Sequence, residues 1–359
     1  MDNQKTNEIL NKRDHCVSRF LLKNFAITEG NKKSGLIYIY KKPVYKPKRG
    51  SILKHAGHDI DFYLGKNSET KQPDKVSDLV YKEIEKRKHA PAVIKKILSQ
   101  SDDISLKYKE ESILATLIAH QLTRTKKFRK IINRFLAFLL LNNYIVKNDL
   151  GDKRKIQELI IKNRFNIPPE QIENNFLANF LSLAGTRGQE LFIAIQIAEH
   201  IVQAIYQKNF HTIIAPQNHY FIISDAPVCI IGKNDNLFKI NKLWSFEKND
   251  DYSFILPISP KKAVVFGNNY EQYKQINGKL AESLVIMVNS LSVNNTYKEF
   301  YSHTDKFWGD YKDFLITPKR LALHRKISEE IKKHLTKRII FFTKYLIWKI
   351  KNLFIKNKR

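Results

Sequence analysis

Two pairs of side chains in this sequence are spaced for acid–base and anion-binding chemistry. His15 and Arg19 are four residues apart, so they would share one face if this segment is helical. A histidine can transfer a proton near neutral pH, and a neighbouring arginine can hold an oxyanion or a phosphate. Gln121 and Arg124 have a similar spacing and would also share a face. The two pairs predict polar helical faces suited to an anionic substrate.

A third candidate is the dipeptide Ser224-Asp225, which follows an apolar segment that has the composition of a strand. The end of a strand is a common place for a functional carboxylate, because loops that carry chemistry begin there. We therefore treat Asp225 as a candidate acid or base and Ser224 as a candidate substrate-binding residue.

The elements that must position these residues follow from hydrophobic periodicity. We predict helices over 15–25, 76–89, 109–145, 189–208 and 279–291, with Pro91 and Pro168-Pro169 starting two others. We predict strands over 36–41, 212–215, 219–223, 228–231, 253–256 and 263–266, and a basic extended loop over 41–49. The predicted fold class is α+β, with a mainly helical N-terminal part packed on a small mixed or antiparallel sheet.

The last residues of the chain have a different composition. We predict a single α+β domain over 1–335 and a basic amphipathic C-terminal helix over 336–359. The segment Lys337–Arg359 alternates lysines with aromatic and aliphatic residues, which suits an anionic membrane surface, a partner groove or nucleic acid. The alternative is a closing helix whose apolar face completes the core.

Composition limits the classes of function. The net charge of +28 points to polyanionic partners, although only 14 of the 63 basic residues are Arg, and compositional bias toward lysine would give the same charge. The two cysteines, Cys16 and Cys229, exclude a disulfide framework and a zinc ribbon. The sequence contains no phosphate-binding glycine loop and no serine-hydrolase elbow.

No signal peptide or transmembrane helix is predicted, so we expect a cytoplasmic protein, with peripheral membrane association as the alternative. His55 and His58 lie near carboxylates, but no second ligand cluster accompanies them, so no metal site is predicted and the cofactor is unknown.

Several short motifs occur along the chain in a fixed order: His15-Cys-Val-Ser-Arg-Phe-Leu-Leu-Lys-Asn-Phe25, Ile84-Glu85 with Pro91–Leu98, Ile118–Thr125, Phe221–Val228, Leu256–Pro260 and Asn289. Together they resemble the bacterial family called domain of unknown function 4238. The resemblance covers roughly 15–305. Ser18 stands where the family usually has Pro, and Ala226 where it usually has Asn. The resemblance implies candidate residues and no reaction.

The resemblance implies all of these candidate residues, Glu85 among them, and their spacing adds that two pairs would share a helical face. The candidate catalytic residues are His15, Asp225 and Glu85, and the candidate substrate-binding residues are Arg19, Gln121, Arg124 and Ser224. If they converge, they form an acid, a base and two anion-binding groups, a set that suits hydrolysis or transfer at a phosphodiester. The structural alternatives are an Arg124 ion pair with Glu85 or Asp225, an Asp225 turn cap, and a His15 bond to a backbone carbonyl.

We therefore expect a nucleic-acid-binding or nucleic-acid-processing protein in a bacterial defence or conflict setting, the setting being suggested by the kind of family. One alternative is a non-enzymatic adaptor at a membrane surface or on a partner protein. A second alternative is a hydrolase of a small anionic substrate, with Arg19 and Arg124 holding the anion.

Overall fold

The computed structural model describes most of the chain between residues 13 and 306. The described residues are 13–30, 32–42, 46–60, 65–66, 73–74, 76–86, 88–100, 104–130, 132, 187–232, 252–267 and 279–306. Among them, no helix combines the length and the apolar character needed to cross a membrane. The described residues all belong to one compact unit of the chain. The predicted tail helix over 336–359 lies outside them.

The chain begins with short strands rather than with a helix. Strand β1 (Arg13–His15) pairs with β6 (His58–Ile60), and helix α1 (Arg19–Asn24) starts only after it. The prediction of a helix from residue 15 was therefore wrong at its N-terminal end. The reason is a backbone contact, because the amide of Cys16 donates to Gly57 O at 2.7 Å and holds this segment extended. His15 and Arg19 consequently do not share a helical face.

Strand β4 (Leu36–Lys41) was predicted correctly from its alternating sequence. It is the centre of a four-stranded antiparallel sheet with the order β10-β14-β4-β5. The other strands of this sheet are β5 (Pro47–Ser51), β10 (Ile223–Ser224) and β14 (Glu299–Ser302). Part of the predicted basic loop over 41–49 is thus a strand.

A second four-stranded antiparallel sheet has the order β11-β12-β13-β9. Its strands are β9 (Phe210–Ile214), β11 (Cys229–Gly232), β12 (Tyr252–Pro257) and β13 (Lys262–Phe266). Phe254, Leu256 and Val264 are fully buried in it. Two small two-stranded sheets complete the described strands: β2 (Thr28–Glu29) with β3 (Lys32–Lys33), and β7 (Gly65–Lys66) with β8 (Pro73–Asp74).

Five longer helices follow α1 in the described part of the chain. They are α2 (Val76–Ile84), α3 (Ala90–Ser99), α4 (Tyr108–Thr123), α5 (Arg187–Tyr206) and α6 (Lys279–Asn295). In α3, Ala90, Val93, Ile94 and Ile97 are buried, which is the one-face spacing of an amphipathic helix. Helix α4 packs against α5 and carries a nearly continuous buried stretch from Leu114.

The fold class is α+β, as predicted, with helices and antiparallel sheets. The distribution along the chain differs from the prediction, since β1 to β8 all precede the long helices. The first sheet joins distant segments, and Tyr40 of β4 stacks on Phe300 of β14 with ring centroids 4.7 Å apart. The core therefore links the two ends of the described chain.

Candidate functional site

The two N-terminal candidates, His15 and Arg19, lie on either side of the segment Cys16–Ser18. His15 is half-buried at the end of β1, and its Nε2 lies 3.2 Å from Ile52 O. That contact matches the structural alternative in which His15 bonds to a backbone carbonyl. Arg19 is exposed at the start of α1 and has no hydrogen bond or ion pair in the described part of the chain. The roles of His15 in catalysis and of Arg19 in substrate binding remain predictions.

Three of the predicted residues, Glu85, Gln121 and Arg124, meet with Ser18 in a buried polar group. We call these four residues the Arg124 cluster. Arg124, at the C-terminal end of α4, donates through Nη1 to Glu85 Oε1 at 2.6 Å and through Nη2 to Ser18 Oγ at 3.0 Å. Ser18 Oγ also donates to Glu85 Oε1 at 2.8 Å. The side-chain amide of Gln121 contacts the Ser18 hydroxyl at 2.5 Å and lies against the guanidinium.

The Arg124 guanidinium is surrounded on several sides. Its Nε donates to Cys16 O at 2.8 Å, the Tyr81 ring centroid lies 5.4 Å from its Cζ, and only 2% of the residue is exposed. Burial raises the pKa of Tyr81 to about 12, while the positive charge of Arg124 opposes the rise. A guanidinium whose donors already point at protein acceptors holds segments together, and here it joins the N-terminal motif to α2 and α4. Its binding of a substrate remains a prediction.

Asp225 and Ser224 make separate, local contacts. The Ser224 hydroxyl donates to Ala226 O at 2.7 Å. Asp225 accepts three consecutive backbone N–H groups: Tyr297 N to Oδ1 at 2.7 Å, and Lys298 N and Glu299 N to Oδ2 at 2.6 and 3.0 Å. Burial raises the pKa of Asp225, and these hydrogen bonds oppose the rise. Asp225 thus fixes the segment that leads from α6 into β14.

A chain of hydrogen bonds connects the Arg124 cluster to Asp225 through Gly57. Gly57 O accepts from Cys16 N at 2.7 Å, and Gly57 N donates to Glu299 Oε1 at 3.2 Å. Gly57 has a φ of +63°, and a Cβ there would lie 3.0 Å from Leu22 Cδ1. Both observations favour glycine at this position. The two groups of predicted residues are therefore connected through backbone atoms of Cys16 and Gly57 and through Glu299.

Next to Asp225 is a basic group that the sequence did not single out. We call Lys42, Lys127, Asp225 and Asn295 the lysine site. Lys42 Nζ donates to Thr296 O at 2.5 Å, and Lys127 Nζ donates to Asn295 Oδ1 at 2.9 Å. The site joins four distant segments: the end of β4, the turn after α4, the end of β10 and the end of α6.

The electrostatics of the lysine site show two cations close together. Burial lowers the pKa of Lys127, the charge of Lys42 lowers it further, and Cys229 and Asp225 oppose the change. Partial burial lowers the pKa of Lys42, which Asp225 opposes. Neither amine forms an ion pair in the described part of the chain. The Asp225 carboxylate attracts both ammonium groups, and the repulsion between the two like charges raises the free energy of the site.

Each of the two ammonium groups has hydrogen-bonding capacity to spare. A lysine ammonium carries three N–H donors, and one from Lys42 and one from Lys127 are used in the described structure. The donors left over, together with the positive charge, suit an oxyanion such as a phosphate. The neighbouring Cys229 does not add a nucleophile, because burial raises the pKa of its thiol to about 11.

The sequence carried a weak signal for the lysine site. The runs Lys41-Lys42 and Lys126-Lys127 are visible, but in a chain with 63 Lys and Arg residues such pairs do not stand out.

His55 was considered from the sequence as a metal ligand. In the structure its Nδ1 accepts a hydrogen bond from Ser51 N at 3.0 Å.

The family model described as "Protein of unknown function (DUF4238)" matches residues 13–306. The chain belongs to this family. The resemblance found in the motifs is therefore confirmed, and the match covers the Arg124 cluster and the lysine site. No curated protein and no solved structure matches the chain.

Proposed function

We propose that this member of the DUF4238 family binds nucleic acid, with the phosphate backbone held at the lysine site. The observation that carries the proposal is the pair Lys42 and Lys127, whose ammonium groups bond to the adjacent residues Thr296 and Asn295. Neither ammonium group forms an ion pair in the described structure. A phosphate placed between them would relieve their repulsion and accept their remaining N–H donors. Backbone phosphates are the main source of affinity in most nucleic-acid complexes.

The overall charge supports the same proposal. A net charge of +28 attracts a polyanion over long distances and raises its local concentration near the surface. Two further basic residues lie beside the site, since Lys130 contacts the ring of Tyr297 and Lys41 Nζ lies 3.8 Å from Glu299 Oε2. The lysine site thus offers a defined position for a ligand that the net charge would attract.

The reaction predicted from the sequence is a further part of the proposal. Hydrolysis or transfer at a phosphodiester would use Asp225 beside the lysines, or His15 and Glu85 along the connected backbone. Asp225 accepts three N–H groups and is therefore poorly placed to take a proton, whereas the His15 ring is half-buried, with its Nε2 3.2 Å from Ile52 O. His15→Ala is the variant that tests catalysis most directly.

Binding is tested with charge-matched variants. We expect Lys42→Gln/Lys127→Gln to lose at least about tenfold in affinity for a fluorescent oligonucleotide at low salt, since two phosphate contacts disappear. The control is Lys95→Gln/Lys109→Gln, which removes the same charge from exposed positions on α3 and at the start of α4. If both double variants lost the same affinity, the loss would be explained by the change in net charge alone. That result would contradict the proposed site.

The same assay separates the other candidate functions. Cleavage of the oligonucleotide by wild type that is lost in His15→Ala would establish a nucleic-acid enzyme. Competition by inorganic phosphate or a mononucleotide as effective as that by the oligonucleotide would favour a small anionic substrate.

A second proposal concerns the basic amphipathic sequence Lys337–Arg359, which suits an anionic membrane surface. Sedimentation with phosphatidylserine vesicles, using the full chain and a chain ending at residue 335, tests this function. Equal pelleting of the two chains would contradict membrane docking through the tail.

A further inference from the structure

An aromatic side chain stands at the edge of the lysine site. Tyr297 follows Asn295 by two residues, and 36% of it is exposed, which makes it one of the few large exposed apolar side chains in the described structure. Lys130 Nζ lies 4.7 Å from the centroid of its ring. An exposed aromatic face beside a cluster of lysines is the combination that nucleic-acid-binding surfaces use for unpaired bases.

The position of Tyr297 is fixed by its backbone. Its N–H donates to Asp225 Oδ1 at 2.7 Å, and the next residue, Lys298, is held from both sides. Lys298 N donates to Asp225 Oδ2 at 2.6 Å, and Lys298 O accepts from Lys42 N at 2.9 Å. The ring is therefore presented by a segment tied to β4 and to the end of β10. A fixed aromatic ring loses little conformational entropy when a base stacks on it.

Lys42 and Tyr297 lie close enough to act on one ligand. Lys42 Nζ bonds to the carbonyl of Thr296, the residue before Tyr297, and Lys127 Nζ bonds to Asn295. Both ammonium groups are thus anchored within two residues of the ring. Consecutive phosphates of an extended strand are separated by roughly the length of one nucleotide, so a base on Tyr297 places its neighbouring phosphates near the lysines.

We propose, building on the nucleic-acid binding proposed above, that the lysine site is specific for single strands, with one unpaired base stacked on Tyr297 and the adjoining phosphate on Lys42 and Lys127. In a duplex the bases are already stacked on each other, and their faces are out of reach. The exposed ammonium of Lys130 makes a weak cation–π contact that a stacking base can displace, after which it is free to pair with phosphate.

A second exposed tyrosine provides a matched comparison. Tyr108 is 76% exposed and lies edge-on to Tyr206, with centroids 4.9 Å apart, at the opposite end of α4 from Lys127. Its turn contains Glu110 and Glu111, which repel phosphate. Tyr108 is thus more exposed than Tyr297 yet lies outside the lysine site, so removing it controls for the loss of an exposed aromatic side chain.

The test measures binding of one labelled oligonucleotide, alone and annealed to its complement, to wild type, Tyr297→Ala, Tyr297→Phe and Tyr108→Ala. Base stacking on an aromatic residue predicts that Tyr297→Ala weakens single-strand binding by about 10- to 100-fold. Duplex binding should change less than about threefold, because it depends on phosphate contacts. Tyr297→Phe and Tyr108→Ala should bind like wild type, and unchanged thermal unfolding confirms that the variants are folded.

Two results would overturn this inference and leave the proposed function standing. If wild type binds single strands and duplex equally and Tyr297→Ala changes neither, the lysine site does not distinguish strandedness and only this inference fails. If Tyr297→Ala and Tyr297→Phe lose binding equally, the hydroxyl rather than the ring face is used, and stacking is wrong. Absence of any salt-sensitive binding by wild type would instead remove the proposed function and this inference with it.

Discussion

Replacing Arg124 with methionine tests whether the Arg124 cluster stabilises the fold or binds a ligand. Methionine keeps most of the length and apolar volume of arginine and removes the guanidinium. The variant loses hydrogen bonds to Cys16 O, Ser18 Oγ and Glu85 Oε1, at distances of 2.6 to 3.0 Å. Glu85 is left without its cation, but 27% of its side chain is exposed, so water replaces part of the lost interaction.

These contacts determine how much free energy of unfolding each variant should lose. Removing one partner of a buried ion pair costs about 3–5 kcal/mol, and the partial exposure of Glu85 places Arg124→Met near the lower limit, at about 3 kcal/mol. Glu85→Gln keeps one acceptor for Arg124 and should cost about 2 kcal/mol. The double variant should cost about 1–2 kcal/mol less than the sum of the two single variants, because the second change removes a partner already lost.

Urea unfolding followed by circular dichroism measures these free energies of unfolding, with an unchanged dependence on denaturant as evidence for two-state behaviour. Oligonucleotide binding and cleavage are measured on the same proteins below the unfolding transition. The reasoning is refuted if Arg124→Met changes stability by less than about 0.5 kcal/mol, the usual range of surface substitutions, and abolishes binding or cleavage. Arg124 would then be a ligand-binding residue, as the sequence predicted.

Two further predictions concern Asp225 and a buried histidine. Asp225→Ala leaves three backbone N–H groups of residues 297–299 without their acceptor and should cost about 3 kcal/mol in urea unfolding; a loss below about 1 kcal/mol would show that these bonds are not needed for stability. Burial, reinforced by the charge of Arg124, lowers the pKa of His120 to about 4 from its ordinary value of 6.5. The unfolded chain therefore takes up a proton first as the pH falls, and stability should decrease between about pH 6.5 and 4, by up to about 3 kcal/mol. His120→Phe should remove this part of the pH dependence and His200→Gln, at an exposed position, should retain it; parallel curves for wild type and His120→Phe would contradict the assignment.

Local patterns in the sequence were sufficient to predict some of the helices and strands. The spacing of Val93, Ile94 and Ile97 gives one buried face to α3, and the alternation in Leu36–Lys41 gives β4. The predicted proximity of Gln121 and Arg124, which are about one turn apart at the C-terminal end of α4, was also correct, because helical spacing alone brings such residues together. Their convergence with Glu85 agreed with one of the alternatives considered from the sequence.

Contacts between distant segments were not accessible from local patterns. Strand β14 has only four residues, Glu299–Ser302, and it becomes a strand because it pairs with β4 more than 250 residues earlier. His15 was placed on a helix because the pairing of its segment with the residues around Gly57 leaves no periodic signal. Strand formation depends on cross-strand neighbours, whose identity a single sequence does not reveal.

The lysine site was missed for the same reason. Lys42, Lys127 and Asn295 lie in three segments separated by 85 and 168 residues, and only the folded chain brings them together. Among 63 basic residues, no spacing rule distinguishes two lysines that meet in space. The net charge predicted a class of partner, and the lysine site is where we propose that this partner binds.

The salt dependence of oligonucleotide binding tests the central claim most directly. For wild type, Lys42→Gln/Lys127→Gln and Lys95→Gln/Lys109→Gln, the logarithm of the binding constant is plotted against the logarithm of salt concentration. Loss of two phosphate contacts should reduce the slope of the Lys42→Gln/Lys127→Gln variant by about 1.4 on a single strand, while the control double keeps the wild-type slope. Parallel lines for all three proteins would mean that Lys42 and Lys127 do not contact phosphate, and the lysine site would not be the binding site.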